Sequence, residues 1–279
     1  MRIIFSKIIT SALILPALVV FTSSCSKDNS TGKTVTATTP DPPKTKPRPT
    51  YTLAWSDEFN GPAIDPAIWS METGSLGVNN EKEYYQASNA TIESGNLVIT
   101  AKKENVGGMS YTSARMNTNG KFSTTYGRVE AKIKMPLGKG FWPAFWMLGS
   151  NINTVSWPRC GEIDIMEHVN DDNLVYGTMH WQAGAGHTQY GEKTTTTTPG
   201  DYHIYAVEWD TDEIRWYIDD TLFVTGNIKD NVNETNAFHL PFFIILNFAV
   251  GGDFPNQPVD ESLLPAKMYV DYVRVYQAK

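Results

Sequence analysis

The sequence predicts an all-β body, a sandwich or a barrel, and three observations carry that expectation. Short segments of strand character follow one another at close spacing. Gly, Pro and Asn punctuate them, and no stretch sustains the 3.6-residue period of a helix. The body runs from about Tyr51 to Lys279, roughly 230 residues, which suits one all-β domain.

Ahead of that body, Met1–Lys7 carries Arg2 and Lys7, and an apolar run extends from Ile8 to Phe21. Thr22, Ser23 and Ser24 then lead to Cys25, so residues 1–24 have the layout of a signal peptide. The run is too short for a bilayer span, which needs roughly 20 residues, and Pro16 interrupts it. A cysteine directly after small residues resembles the lipobox of bacterial lipoproteins, so Cys25 is expected to be lipidated. Residues 25–50 form its tether: rich in Ser, Thr, Lys and Pro, they have too little large apolar surface to offset the entropy of ordering. Ser26-Lys27-Asp28 resembles the start of surface-exported lipoproteins. Export is therefore expected, with a lipid anchor in the outer membrane or cell surface, facing periplasm or exterior. With Cys25 lipidated, only Cys160 remains, so no intrachain disulfide can form and stability must come from packing.

Within the body, Asn96–Lys103 alternates loosely. Gly127–Pro136 is the clearest strand, with Val129, Ala131, Ile133 and Met135 alternating with Arg128, Glu130, Lys132 and Lys134. That is period two, with one face buried and one wet. Ile214–Ile218 and Thr221–Thr225 flank Asp219-Asp220, a hairpin turn. Phe242–Val250 is a nearly unbroken apolar run of strand length, expected of a central strand covered on both faces. Met268–Tyr276 closes the chain with another strand. A net charge of −7 offers no basic footprint, which argues against nucleic acid as a partner. Twelve per cent aromatics with 19% charged residues fits a neutral, hydroxyl-rich ligand, and equally an ordinary large β-core.

The segment that carries chemistry is Gly161-Glu162-Ile163-Asp164-Ile165-Met166-Glu167-His168. Alternation puts Glu162 and Asp164 on one face, with Ile163 and Ile165 in the core. Strict continuation would bury Glu167 without a partner, which is costly. One extra residue, a β-bulge near Ile165 or Met166, buries Met166 and returns Glu167 to the face of the other acids. Three acids in line repel, and apolar rings nearby should raise at least one pKa. Two carboxyl groups with pKa values pushed apart suit glycosidic bond cleavage. A retaining mechanism needs them about 5–5.5 Å apart, whereas four regular strand steps span about 13 Å, so spacing alone does not settle the stereochemistry. A solvated acidic face or a cation site would give the same pattern. Trp142 and Trp146 share a face if extended, and Trp157 and Trp181 flank the acids in sequence. Such aromatic faces cover the apolar faces of sugar rings. Trp55, Trp69, Trp209 and Trp216 sit in core-like patterns.

On these residues the chain resembles glycoside hydrolase family sixteen, in particular its bacterial laminarinase-like members. Glu162-Ile163-Asp164-Ile165-Met166-Glu167 matches the family's E-x-D-x-x-E, with Trp157-Pro158 and Gly161 before it. Trp55-Ser56-Asp57-Glu58-Phe59, Asn79-Asn80-Glu81, Ser113-Ala114-Arg115, Trp142-Pro143-Ala144-Phe145-Trp146 and Thr178-Met179-His180-Trp181 also match. The resemblance covers essentially all of residues 51–279. It implies a concanavalin-like β-jelly roll of two curved antiparallel sheets with an open concave cleft. It implies a retaining endo-hydrolase in which Glu162 is the nucleophile, Glu167 the acid/base, and Asp164 the carboxylate that tunes the nucleophile. Asn80, Arg115, Trp142, Trp146, Trp157 and His180 match substrate-contacting positions, and Glu83 stands where Gln is expected. The resemblance implies no catalytic cofactor, and a structural calcium at Glu58, the Gly95 carbonyl and Asp271. The expected substrate is a neutral β-1,3-glucan of the laminarin type, acted on by a monomer. Mixed-linkage glucan or a red-algal galactan is the alternative within the same chemistry. A non-catalytic surface glycan-binding protein is the alternative from another class.

Overall fold

The computed structural model describes residues 48–279; the expected signal segment, Cys25 and nearly all of the expected tether lie outside the described residues. Two antiparallel sheets face each other across one apolar core. One has eight strands. Its path runs Thr221–Asn227, Glu213–Ile218, Tyr202–Trp209, Gly127–Lys134, Ala266–Ala278, Asn96–Ala101 and Ala90–Glu93, while Tyr51–Asp57 pairs the far end of Ala266–Ala278. The other has seven, in the order Gly186–Thr195, Leu174–Ala183, Glu162–Glu167, Phe141–Gly149, Phe242–Val250, Arg115–Asn117 and Ser70–Met71. This is the β-jelly roll the sequence led us to expect. The α-helical content of the described residues is a single turn, Ile152–Val155.

The sequence patterns explain the layers. In Phe242–Val250, Phe242, Ile244, Leu246, Phe248 and Val250 join the main core between the sheets. Phe243 and Ile245 instead pack with Leu148 and Cys160 in a small second cluster beneath Ile152 and Val155. Every residue of this strand is buried, Asn247 included, as its nearly unbroken apolar run leads one to expect. Asp219 takes a left-handed φ of 54° in the turn between Glu213–Ile218 and Thr221–Asn227. Asp tolerates that conformation through its short polar side chain.

One expectation needs correction. The polar face of Gly127–Lys134 is wet only at its end, because Arg128 and Glu130 are buried. Arg128 donates to Glu130 at 2.7 Å and to Glu208 at 3.2 Å, and Glu208 is fully buried on the neighbouring strand. Tyr217 and Arg48 also donate to Glu208. Charges survive burial here because each is paired and hydrogen-bonded.

Candidate active site

Glu162–Glu167 lies between Phe141–Gly149 and Leu174–Ala183 in the seven-stranded sheet. Asp164 faces Trp146 and Glu167 faces Ala144 on one side; on the other they face Thr178 and Tyr176. Each neighbour is one residue short over that interval, so a bulge lies between Asp164 and Glu167. Ile163, Ile165 and Met166 are all wholly buried, and Glu162 and Glu167 both return to the outer face. A bulge leaves a ladder group unpaired. Trp216, on the opposite sheet, reaches through the core and donates from Nε1 to the Asp164 carbonyl at 2.7 Å. Gly177 makes room for that indole: a Cβ there would lie 2.6 Å from Trp216 Cδ1.

A cavity of about 440 Å³ opens on the outer face, lined by all three acids, three tryptophans (Trp142, Trp146 and Trp157), Arg115 and Asn247, and further by Asn79 and Glu81. Trp142 Nε1 donates to Glu167 at 2.9 Å, and Trp157 Nε1 donates to Glu162 at 2.8 Å. Asp164, nearly fully buried, hydrogen-bonds Glu162. His180 Nε2 lies 3.0 Å from Asp164 Oδ2, close enough for an ionic contact but without the alignment of a hydrogen bond. Its Nδ1 meets His187 Nε2 at 2.9 Å, and the His187 ring lies 4.8 Å from Trp157. Trp146 is held from both sides: its Nε1 donates to Asn247 at 2.7 Å, and the Arg115 guanidinium sits 4.7 Å over its ring. Arg115 in turn donates to Glu72 at 3.0 Å.

Enclosure by these rings disfavours charge on the acids. Burial, then the Asp164 charge, pushes Glu162 up to about 8, against the pull of His180 and the Trp157 N–H. Burial raises Asp164 to about 7. Glu167 is held well above the carboxylate range by burial, then by Asp164 and Glu162. The three titrate as one set. Within it, Glu167 is the acid on which the charges of both other carboxyl groups bear. A protonated carboxyl beside one that ionises earlier can deliver a proton to a leaving oxygen while its partner attacks carbon.

Of the residues singled out from the sequence, Glu162, Asp164, Glu167, Arg115, Trp142, Trp146 and Trp157 line one cavity, and His180 contacts Asp164. Asn80 departs from expectation. Its amide turns to Asp253 at 2.9 Å, and its neighbours Asn79 and Glu81 present themselves to the cleft instead. Trp181 is buried in the core and donates to the Asn233 carbonyl. Asn247, Glu81 and His187 were not anticipated. Asn247 had a signal, being the one polar residue in the apolar run Phe242–Val250. His187 had none, because its position depends on how Gly186–Thr195 registers against Leu174–Ala183.

For calcium, the donor set does not fit a cation in this arrangement. Glu58 is bound at both oxygens by Arg274, at 2.9 and 2.8 Å, which lowers its pKa. Asp271 pairs with Lys132 at 2.7 Å. Both carboxylates are neutralised by basic side chains that a cation would have to displace.

Three comparisons bear on this geometry. Residues 78–274 match the family model described as glycosyl hydrolases family 16. The chain is 40% identical over 247 residues to a β-glucanase of Rhodothermus marinus, covering 82% of this chain and 86% of that protein. It is 45% identical over 235 residues to the clotting factor G alpha subunit of Tachypleus tridentatus, covering 82% of this chain but only 34% of that longer protein. Among solved structures, the catalytic domain of an endo-1,3-β-glucanase (laminarinase) from Thermotoga petrophila superposes with a TM-score of 0.76 at 44% identity. That match covers 83% of this chain and all of the other.

Proposed function

This chain belongs to glycosyl hydrolases family 16, and from that premise we infer that it is a retaining endo-1,3-β-glucanase acting on laminarin-like glucan. The observation that carries the reading is the bulged strand, which presents Glu162, Asp164 and Glu167 together on the floor of a tryptophan-lined cleft.

In the first step Glu162 attacks the anomeric carbon as the glycosidic bond breaks, and Glu167 gives its proton to the leaving oxygen. A glycosyl ester on Glu162 results, and the shortened chain departs. Glu167, now ionised, takes a proton from water, whose oxygen attacks the same carbon and frees Glu162 with net retention. The Trp157 N–H orients the attacking carboxylate and the Trp142 N–H orients the acid. Asp164 holds Glu162 from the other side and keeps the proton balance of the set. The rings of Trp142, Trp146 and Trp157 offer apolar faces to glucosyl rings, while Arg115, Asn79 and Asn247 supply polar groups for hydroxyls. No single-sign charge lines the cleft apart from the catalytic acids and Glu81, with Arg115 paired to Glu72, which favours a neutral glycan.

Export with a lipid on Cys25, and monomeric action at a membrane surface, complete the proposal on sequence grounds alone. A calcium ion at Glu58, Gly95 and Asp271 would require Arg274 and Lys132 to release both acids. A Tm unmoved by millimolar calcium or by chelator would rule it out.

The test is reducing-sugar release from laminarin, barley glucan and agar by wild type and Glu162→Ala. Release from laminarin that disappears in the variant is expected. Retained activity in the variant removes the nucleophile assignment, and an inert wild type on all three glycans favours a binding protein.

A further inference from the structure

Beneath the wall of the cleft lies a carboxyl group that the reaction does not use. Glu83 is 2% exposed, at the start of the short strand Glu83–Tyr85, and its Oε2 accepts from the Val250 N–H at 2.6 Å. Its side chain hydrogen-bonds Glu81, a residue of the cleft lining. Two carboxyl groups can hydrogen-bond each other only if one holds a proton. Among the described residues no ion pair reaches either acid.

We propose that Glu83 is a positioning residue for substrate binding: its carboxyl shares one proton with that of Glu81, and this pair fixes the wall that Asn79, Glu81 and Trp146 present to the sugar chain. The inference rests on the glucanase reading for its ligand, and on contacts for everything else. Glu81 accepts from Asn79 Nδ2 at 3.0 Å and from the Tyr85 hydroxyl at 3.2 Å. Asn247 donates to that hydroxyl at 3.3 Å and accepts from Trp146. An unbroken chain of hydrogen bonds thus runs from Glu83 to the Trp146 indole. The backbone of the same wall is tied to the segment after Phe242–Val250: Lys82 donates to the Val250 carbonyl at 2.9 Å, and Asp253 donates to the Asn79 carbonyl at 2.8 Å.

The groups facing the pair are few. From its own strand comes Tyr85, which burial keeps un-ionised so that it donates. From the strand Arg115–Asn117 comes Arg115, committed to Glu72 and the Trp146 ring. From the segment after Val250 comes Asp253, engaged by Asn80. Lys82 lies exposed along Gly251, on the alternate side of the strand. None of these replaces the shared proton once it is lost. Burial and the Glu81 charge lift Glu83 to about 8, so the proton is present at neutral pH and leaves in mild alkali. Two adjacent carboxylates would then repel and loosen the wall.

The test compares KM for laminarin at pH 6 and pH 9 in wild type, Glu83→Gln and Glu83→Ala, with melting curves to establish folding. In wild type KM should rise about threefold or more with pH, beyond the change in kcat set by the catalytic acids. In Glu83→Gln the amide donates to Glu81 at every pH, and the rise should shrink to less than about half as large. Glu83→Ala, lacking any donor, should show a raised KM already at pH 6. A wild-type KM independent of pH, or an undiminished rise in Glu83→Gln, overturns the proposal. If wild type fails to hydrolyse laminarin at any pH, the functional reading falls by itself. The same pH comparison, made by tryptophan-fluorescence titration with laminarin, then decides the role of Glu83.

Discussion

Trp142 and Trp157 give Glu167 and Glu162 one indole donor each, so donors alone do not separate the two acids. Asp164 raises both acids and His180 relieves both, but the Glu162 charge also bears on Glu167, whereas Glu162 is relieved further by Arg115. That difference supports the proposed roles, and those roles predict what substitution does. Glu162→Ala should lower kcat on laminarin about a thousandfold or more. Azide, small enough to fill the vacated space, should restore turnover and yield an α-glycosyl azide, whereas a merely structural Glu162 would give no rescue. Raised carboxyl pKa values also tax the fold. The folded acids hold protons that the unfolded chain has released above its ordinary value of 4.5, so stability is greatest below that pH and falls towards pH 8. Glu167→Gln should therefore raise Tm by roughly 2–4 °C at pH 8, and by less at pH 5, in paired thermal melts. At this scale the acids, Trp142 and Trp146 were legible because side-chain type and strand period place them, whereas Arg115 came only from the family resemblance. Asn80, turned to Asp253, and His187, set by strand register, were not.

The strand Glu162–Glu167 carries its function in an irregularity. Its sequence conflicts with period two at Glu167, and that conflict alone announced a bulge. What supports the bulge could not be read the same way. Trp216, 52 residues away and on the other sheet, donates to the carbonyl of Asp164, and sequence periodicity carries no information about contacts between sheets. Deleting Met166 should remove the bulge and leave Glu167 on the outer face one strand step nearer Glu162, so far-UV circular dichroism should still report a β fold while kcat on laminarin falls because the spacing of the two acids has changed. Trp216→Phe keeps most of the volume but leaves a buried carbonyl unpaired. It should cost about 1–3 kcal/mol in urea unfolding, and lower kcat more than it raises KM. If its kcat matches wild type, the cross-core bond does not hold the acids in place.

Residues 48–279 are built on two large sheets whose outer faces do different work. One bears the cleft; the other bears a buried charge cluster of Arg128, Glu130 and Glu208, closed over by Arg48 and Tyr217. Removing a partner from such a cluster strands the others, so Arg128→Ala should destabilise the domain by about 3–5 kcal/mol in urea unfolding while leaving kcat per folded molecule unchanged. The two-sheet class was legible from strand spacing and the nearly unbroken apolar run Phe242–Val250. The cluster was not, because Arg128 and Glu130 read as a solvated face until neighbouring strands cover them. Everything about the cleft converges on double displacement by Glu162 and Glu167. Proton NMR of laminarin during its first minutes of hydrolysis tests that directly. The β-anomer of the new reducing end should appear first, with the α-anomer growing only by mutarotation. An α-anomer formed first would contradict the account.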